Sequence, residues 1–348
     1  MDSSVAAALL KQEGHKLIGI TMRVWDDPDG DQARAGSCCS LDDADDAKRV
    51  AEQLGIPHYT LNVKDRFKKK VVDNFVDEYL KGRTPNPCVL CNQDIKFDYL
   101  FEQGKKFGAS HIATGHYAGI GSFMGHTVVT RGRDLLKDQS YYLFSIDPSR
   151  LEKIMFPLGG YSKPETRALA EKYGLNVADK AESQEICFVP DDDYKNFISS
   201  RPGAEKIGEG DIVDANGGII GRHSGYTGYT IGQRKGLGIS ARSPLYVTGI
   251  EPGLNRVIVG EKSGLYKGSL TATNVNWYIQ PEKLEGISLT ARIRSRAPDV
   301  PAIVTATGER EAKVEFLKPQ LSVTPGQAVV FYHEDFVVGG GWIDKAYE

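Results

Sequence analysis

Ser3-Ser4-Val5-Ala6-Ala7-Ala8-Leu9-Leu10-Lys11-Gln12-Glu13-Gly14, followed by Lys16-Leu17-Ile18-Gly19-Ile20-Thr21-Met22-Arg23-Val24, decides the fold class. An Ala- and Leu-rich stretch closed by glycine predicts a helix over 3–13, and the apolar run after it predicts a strand over 16–24. The alternation continues. Ser40-Leu41-Asp42-Asp43 resembles a capping box opening a helix to residue 54, with a strand next at 58–63. Helices fit 66–80 and 92–107, ahead of a short strand at 111–114. This rhythm predicts an α/β fold whose parallel sheet is covered on both faces, with ligands bound beyond the carboxyl ends of its strands. A helix that begins at residue 3 should follow a strand and a loop, and neither is present in this sequence. The expectation is that the chain lacks its true N-terminus or dispenses with that element.

Working outward, 348 residues exceed what one hydrophobic core usually serves, so two or three domains are expected. A 40% hydrophobic and 26% charged composition is that of an ordinary soluble protein. No apolar run approaches the roughly 18 residues that cross a bilayer, and no signal peptide opens the chain, so no membrane partner is expected and the cytoplasm is the expected compartment. After Pro190 the composition shifts to Asp191-Asp192-Asp193 and a Gly-rich polar stretch with turns at Asn216-Gly217-Gly218 and Gly221. Strand-like runs follow at 245–249, 256–259, 289–294, 302–307, 313–316 and 328–332, and the last eighty or so residues read as a small antiparallel β-barrel. A net charge of −3 excludes a globally cationic nucleic-acid binder, so RNA contact would need local patches. Arg66-Phe67-Lys68-Lys69-Lys70 and Arg292-Ile293-Arg294-Ser295-Arg296 are such patches, although each read alone is a solvated face.

Five cysteines, at 38, 39, 88, 91 and 187, are too few and too unevenly placed for a secreted disulfide framework. Thr84-Pro85-Asn86-Pro87-Cys88-Val89-Leu90-Cys91-Asn92 and Ser183-Gln184-Glu185-Ile186-Cys187-Phe188 frame thiols with polar and turn-forming residues. They suggest a pair that meets in space and exchanges a sulfur–sulfur bond. Cys88 and Cys91 also have the spacing of a thioredoxin-type pair or half a zinc site, and with Cys38, Cys39 and Cys187 could hold an iron–sulfur centre, which is not favoured. Cys91, ahead of a helix beginning near Asn92, is expected to be a reactive thiolate. Ala113-Thr114-Gly115-His116-Tyr117 ends a strand with a glycine that lets backbone approach a ligand, while His116 reads equally as structural or functional. Lys137-Asp138-Gln139-Ser140 could hold a base or a phosphate, or form a charged capping turn. Asp2-Ser3-Ser4 is by itself an N-cap.

Together these segments resemble the tRNA-specific 2-thiouridylases. The resemblance rests on Thr84–Asn92, on Ile-Ala-Thr-Gly-His-Tyr at 112–117, Lys-Asp-Gln-Ser-Tyr at 137–141 and Ser183–Phe188, and on Tyr-Thr-Ile-Gly-Gln-Arg-Lys-Gly-Leu-Gly at 229–238 and Thr-Pro-Gly-Gln at 324–327. It implies a PP-loop ATP pyrophosphatase domain over 1–195, a small central domain over 196–268 and a tRNA-gripping barrel over 269–348. It further implies ATP, accompanied by magnesium, adenylating the C2 oxygen of the wobble uridine before a persulfide delivers sulfur. By position Cys187 would carry the persulfide, and Cys91 would be the nucleophile that attacks it or closes a transient Cys91–Cys187 disulfide. Asp2, Ser3, Met22 and Gly115 match ATP-contacting positions. Asn86, Pro87 and Cys88 match a segment at the target base, and His116, Lys137, Asp138, Gln139, Arg294, Ser295 and Gln327 match tRNA contacts. The implied partners are tRNAs for Lys, Glu and Gln, together with a cysteine desulfurase or a sulfur-relay protein.

Three departures from the family pattern are visible. The family's PP-loop reads Ser-Gly-Gly-Val-Asp-Ser, of which only Asp2-Ser3 stands here; Cys88 replaces an Asp common in the family; and Ser295 replaces a Tyr or His. The incomplete backbone cradle leads to an expectation of weak or absent ATP-dependent activity for the chain as written. Competing readings are a tRNA-binding protein without catalysis, an iron–sulfur protein on Cys88, Cys91 and Cys187, and a thiol–disulfide oxidoreductase on Cys88 and Cys91. Turnover measured beside a version extended upstream tests the expectation: equal rates would overturn it.

Overall fold

The computed structural model describes residues 1–24, 41–175, 186–189, 191 and 193–348. The expectations that fall on Ser40, Cys38, Cys39 and Ser183-Gln184-Glu185 lie outside the described residues. Two compact units result: residues 1–72, 88–190 and 335–338 form one, and residues 73–87, 191–334 and 339–348 the other.

In the first unit α1 (Asp2–Gln12) leads to β1 (Gly19–Arg23), then α2 (Leu41–Leu54) and β2 (His58–Asn62). β1 and β2 pair in parallel, Gly19 opposite His58 and Arg23 opposite Asn62. β2 reads His-Tyr-Thr-Leu-Asn, and Tyr59, 46% exposed, packs its ring on that of Phe107 at 4.9 Å. A helical run follows as α3 (Lys64–Phe67) and a π segment over Lys68–Val72. Helix α5 (Pro87–Leu90) continues through a second π segment, Cys91–Tyr99, into α6 (Leu100–Lys106). β3 (Ile112–Ala113) pairs in parallel with β6 (Ile154–Met155). Helix α7 (Lys163–Lys172) opens on a capping box in which Ser162 and Glu165 satisfy each other's backbone N–H. Val5, Ala6, Ala8 and Leu9 of α1 form a core with Val50 of α2, Ala170 of α7, Tyr117, Leu158 and Leu175. Burying each Val or Leu there contributes about 1.5–3 kcal/mol.

Between β3 and β6 lies an unexpected antiparallel hairpin, β4 (Ala118–Phe123) and β5 (His126–Arg131). Its two-residue turn is Met124-Gly125, at φ 50° and 75°, the conformation a tight hairpin requires at both central positions. Methionine at a place that favours Asn or Asp hides this turn from a sequence reading. Late in the chain, Phe336 pairs with Thr130 and stacks on Phe123 at 5.1 Å, which brings residues 335–338 into this unit.

In the second unit α4 (Asp73–Leu80) meets α8 (Tyr194–Ser199) through Tyr79 on Tyr194 at 5.2 Å and Phe75 on Phe197 at 6.2 Å. A four-stranded sheet comprises β7 (Gly210–Val213), β8 (Ile219–His223), β9 (Tyr246–Glu251) and β10 (Arg256–Gly260) in the order β8-β7-β10-β9. The barrel consists of β11 (Tyr266–Trp277), β12 (Leu289–Arg292), β13 (Val300–Gly308), β14 (Glu311–Leu321), β15 (Ala328–His333) and β16 (Phe336–Tyr347). Its order is β11-β14-β13-β12-β15-β16, closed by β11–β16 pairs from Ser269 opposite Tyr347 to Trp277 opposite Gly339. The expected runs at 289–294, 302–307, 313–316 and 328–332 are four of its strands. Closure removes the free edges of the sheet. β14 alternates exposed and buried along Glu311–Glu315, whereas Val329, Val330, Phe331 and Tyr332 of β15 are all fully buried. Truncating Phe331, whose ring lies 5.5 Å from that of Trp277, should cost about 3–5 kcal/mol in Phe331→Ala, read as a lower urea midpoint at unchanged slope.

Candidate functional site

The turn after β3 meets the first turn of α1. A Cβ on Gly115 would stand 2.6 Å from the Asp2 carbonyl carbon and the Ser3 nitrogen, so only glycine lets these two backbones touch. Lys163, 8% exposed, donates to both carboxylate oxygens of Asp2 at 2.8 and 2.9 Å, and the Tyr117 hydroxyl donates to Oδ1 at 3.2 Å. Lys163 thereby offsets a negative charge at the end of a helix that favours anions. Asp2, Ser3 and Gly115 are thus together, while Met22 lies half-exposed on β1 opposite Leu61. Sequence reading missed Lys163, whose one local signal is its place directly after the Ser162 cap.

His116 is 6% exposed. The Phe97 and Phe156 rings each lie 6.0 Å away, and Nδ1 is 2.7 Å from the Thr114 hydroxyl. Burial first, and Lys96 second, hold its imidazole well below the ordinary 6.5. At Lys137-Asp138-Gln139-Ser140 the capping-turn reading describes the geometry. Asp138 accepts from Ser140 N at 3.1 Å, Ser140 Oγ at 2.9 Å and Gly132 N at 3.2 Å, beside the Arg131 guanidinium at 3.5 Å. Gln139 clasps Tyr117 from both sides: its Oε1 accepts from Tyr117 N and its N donates to Tyr117 O, each at 2.9 Å.

Cys88, Cys91 and Cys187 are thiols, the first exposed and the other two half-buried. Pro87 starts the helical run, at the position where its missing N–H costs nothing. The helix therefore begins before Cys91 and not at Asn92. Cys91 is its fifth residue, past the turn whose N–H groups are unpaired, and Cys88 occupies that turn instead. Phe188, next to Cys187, packs edge-on against Phe67 of α3 at 5.8 Å. The run that carries Cys91 borders the same helical stretch through Arg66–Glu102 at 2.8 Å and Lys70–Asp94 at 3.6 Å. The basic run at 66–70 is to that extent paired internally, as is Arg292 with Asp299 at 2.7 Å. Among the described residues no three His, Cys, Asp or Glu side chains are grouped to hold a metal ion.

In the second unit, four of the positions matched to tRNA or target-base contacts converge. Arg294 donates to Ser322 O and to Thr324 Oγ1, each at 2.7 Å, fixing the turn that ends in Gln327. Gln327 Nε2 donates to the carbonyls of Thr84 and Pro85, each at 3.0 Å, while Thr84 N donates to Pro325 O at 2.9 Å. Gly326, at φ 92°, is where a Cβ would come 2.8 Å from Thr84 O. Arg83 completes the clasp, pairing with Asp344 at 2.9 Å and Glu78 at 2.8 Å and donating to Ile343 O at 2.9 Å. Buried Asn86 and Pro87 follow directly. Ser295 is half-exposed beside Arg294. Arg83 was not singled out in the sequence because nothing local marks an arginine as bound to residues so distant in the chain.

Residues 1–191 match the family described as tRNA methyl transferase HUP domain, residues 195–261 its PRC-barrel domain, and residues 267–343 the aminomethyltransferase beta-barrel domain. The chain is 51% identical over 354 residues to the tRNA-specific 2-thiouridylase MnmA of Geobacter metallireducens, covering 99% of this chain and 95% of that protein. Similarity to MnmA 1 of Caldanaerobacter subterraneus is 52% over 350 residues, with 99% and 95% covered. For MnmA of Geotalea uraniireducens it is 50% over 352 residues, with 99% and 93% covered. No helix among the described residues is long and apolar enough to cross a membrane.

Two outcomes follow from this geometry. Gln327→Glu removes the amide donor and sets a carboxylate against two carbonyls, which should cost about 1–3 kcal/mol in urea unfolding and weaken tRNA binding. Because the imidazole of His116 titrates below 6.5 when folded, its contribution is complete above that pH and is lost as pH falls toward the folded value. The wild-type protein should therefore lose up to about 1.4 kcal/mol per pH unit through this group below its unfolded pKa. That slope should be absent from His116→Gln when both are unfolded in urea across the same pH series.

Proposed function

The chain belongs to the tRNA-specific 2-thiouridylase family, and on that premise we propose that it replaces the C2 oxygen of the tRNA wobble uridine with sulfur in a reaction driven by ATP. The uridine C2 oxygen attacks the α-phosphorus of ATP and pyrophosphate leaves, so that a poor leaving group becomes AMP. The terminal sulfur of a Cys187 persulfide then attacks C2 and expels AMP. Cys91 thiolate attacks the Cys187 sulfur, the sulfur–sulfur bond to the base breaks, and 2-thiouridine leaves with a Cys91–Cys187 disulfide behind it. A thiol reductant and a sulfur donor, a cysteine desulfurase or a relay protein, restore the starting state. Magnesium would neutralise the triphosphate, and Asp2, Ser3 and Gly115 would meet it at the α1 N-terminus, with Met22 beside the nucleotide.

The observation that carries this reading is the clasp in the second unit. Arg294 and Gln327 shape one turn around Thr84 and Pro85, immediately before Asn86, Pro87, Cys88 and the thiol of Cys91 in sequence. Asn86, Pro87 and Cys88 would face the flipped uridine, which an anticodon loop gives up at little unstacking cost. Cys88 is exposed, and Lys137 and Ser295 are half-buried, in positions matched to the substrate. His116, Asp138 and Gln139 act from within, by fixing the backbone between β3 and the turn after β5. The substrates are tRNAs for Lys, Glu and Gln.

Cys91→Ser and Cys187→Ser should each reduce 2-thiouridine to background while leaving tRNA affinity unchanged. Nucleoside mass spectrometry of tRNA incubated with ATP, a cysteine desulfurase supplied with cysteine, and a thiol reductant measures the first, and filter binding the second. Product at the wild-type level from either variant overturns the sulfur relay.

A further inference from the structure

The Gly-rich string at 229–238 has no part in the chemistry above, yet it builds a defined feature. Between β8 and β9 a cavity of about 500 Å³ is lined by Arg234, Gly236, Leu237, Gly238, Arg242 and Ser243, among others. Its floor is fixed, because Leu237 is 7% exposed and packs with Val247 and Val257 in the core of the four-stranded sheet. The loop is fixed as well. Gly232 N donates to Val247 O at 2.8 Å and Val247 N to Gln233 O at 2.9 Å. The Gln233 side chain accepts from Thr230 N at 3.1 Å and donates to Lys235 O at 3.0 Å, which holds the backbone on both sides of Arg234.

Arg234 and Arg242 are both exposed, and among the described residues no carboxylate lies within ion-pair distance of either. This contrasts with Arg49, Arg66, Arg83, Arg133, Arg150 and Arg292, each of which has an acidic partner. In a chain of net charge −3, two exposed arginines lining one concave, glycine-walled surface are a site for an anion. The guanidinium fork binds phosphate oxygens two at a time, and Gly236 and Gly238 leave backbone open beside them. The loop also borders the clasp: a Cβ on Gly232 would come 2.6 Å from Ser322 Oγ, in the turn that Arg294 holds.

We propose that Arg234 and Arg242 form a phosphate-binding pocket that takes a phosphodiester of the tRNA backbone next to the Ser322–Gln327 turn. The choice of RNA over a free nucleotide rests on the thiouridylase reading and on this adjacency.

The test measures binding of an unmodified tRNA transcript across a potassium chloride series for the full chain, for Arg234→Gln/Arg242→Gln and for Arg234→Lys/Arg242→Lys. ATP binding is measured alongside. Each phosphate contact contributes about 0.7–0.9 to the slope of log affinity against log salt. The Gln variant should bind tRNA more weakly with a slope smaller by about 0.7–0.9, the share of the one phosphate the pair neutralises, the Lys variant should keep most of the slope, and ATP affinity should not change. An unchanged tRNA affinity and slope in the Gln variant overturns the pocket and leaves the thiouridylase reading standing. Loss of ATP affinity with an unchanged tRNA slope overturns the RNA assignment in favour of a nucleotide phosphate. A wild-type chain that binds no tRNA overturns both readings at once.

Discussion

One side-chain amide fixes the path of residues 84–87 in the second unit. Gln327 donates from a single nitrogen to the carbonyls of Thr84 and Pro85, and the segment that ends in Asn86 and Pro87 has its path fixed by that contact. Around it, Thr84 N reaches Pro325 O, Arg83 is anchored to Ile343 and Asp344, and Gly326 provides the room. Each such bond contributes about 0.5–1.5 kcal/mol net, but leaving buried carbonyls unpaired costs more, so the group acts as a unit. A closed barrel is a suitable frame for this, because β14 and β15 on either side of the turn are held along their length by neighbouring strands.

The same principle governs the first unit. Asp138, Gln139 and His116 look in the sequence like groups awaiting a ligand, yet their polar atoms are engaged with Gly132, Ser140, Tyr117 and Thr114. They make backbone shape, and the shape presents other groups. Lys163 does this for Asp2, converting a carboxylate that would repel phosphate into part of a neutral pair. Charge available to a polyanion is then concentrated where arginines lack acidic partners, as on the Gly-rich loop before β9.

How much of this the sequence discloses depends on the range of the interactions involved. Helix α1 and strand β1 were legible because Ala, Leu and Ile express their preferences locally, and most barrel strands because β14 and its neighbours alternate or run apolar between turns. The β4–β5 hairpin was hidden by Met124 in a left-handed position, and β16 by its three consecutive glycines. The helix expected to begin near Asn92 opens instead at Pro87, which places Cys88, not Cys91, in the first turn. The motif strings at 84–92 and 324–327 are joined by hydrogen bonds, while Arg83 and Lys163 stayed invisible because their partners lie 261 and 161 residues away.

The distance along the chain between Thr84 and Gln327 carries a consequence for biosynthesis. A ribosome that has just added Thr84 must extend the polypeptide by 243 more residues before the amide that positions it exists. Domains fold in the order of their synthesis at about 5–20 residues per second, so this contact forms no sooner than about 10–50 s after Thr84 is added. A nascent chain that stalls short of the final strands would carry residues 84–87 with no fixed conformation, however well its earlier helices had already packed.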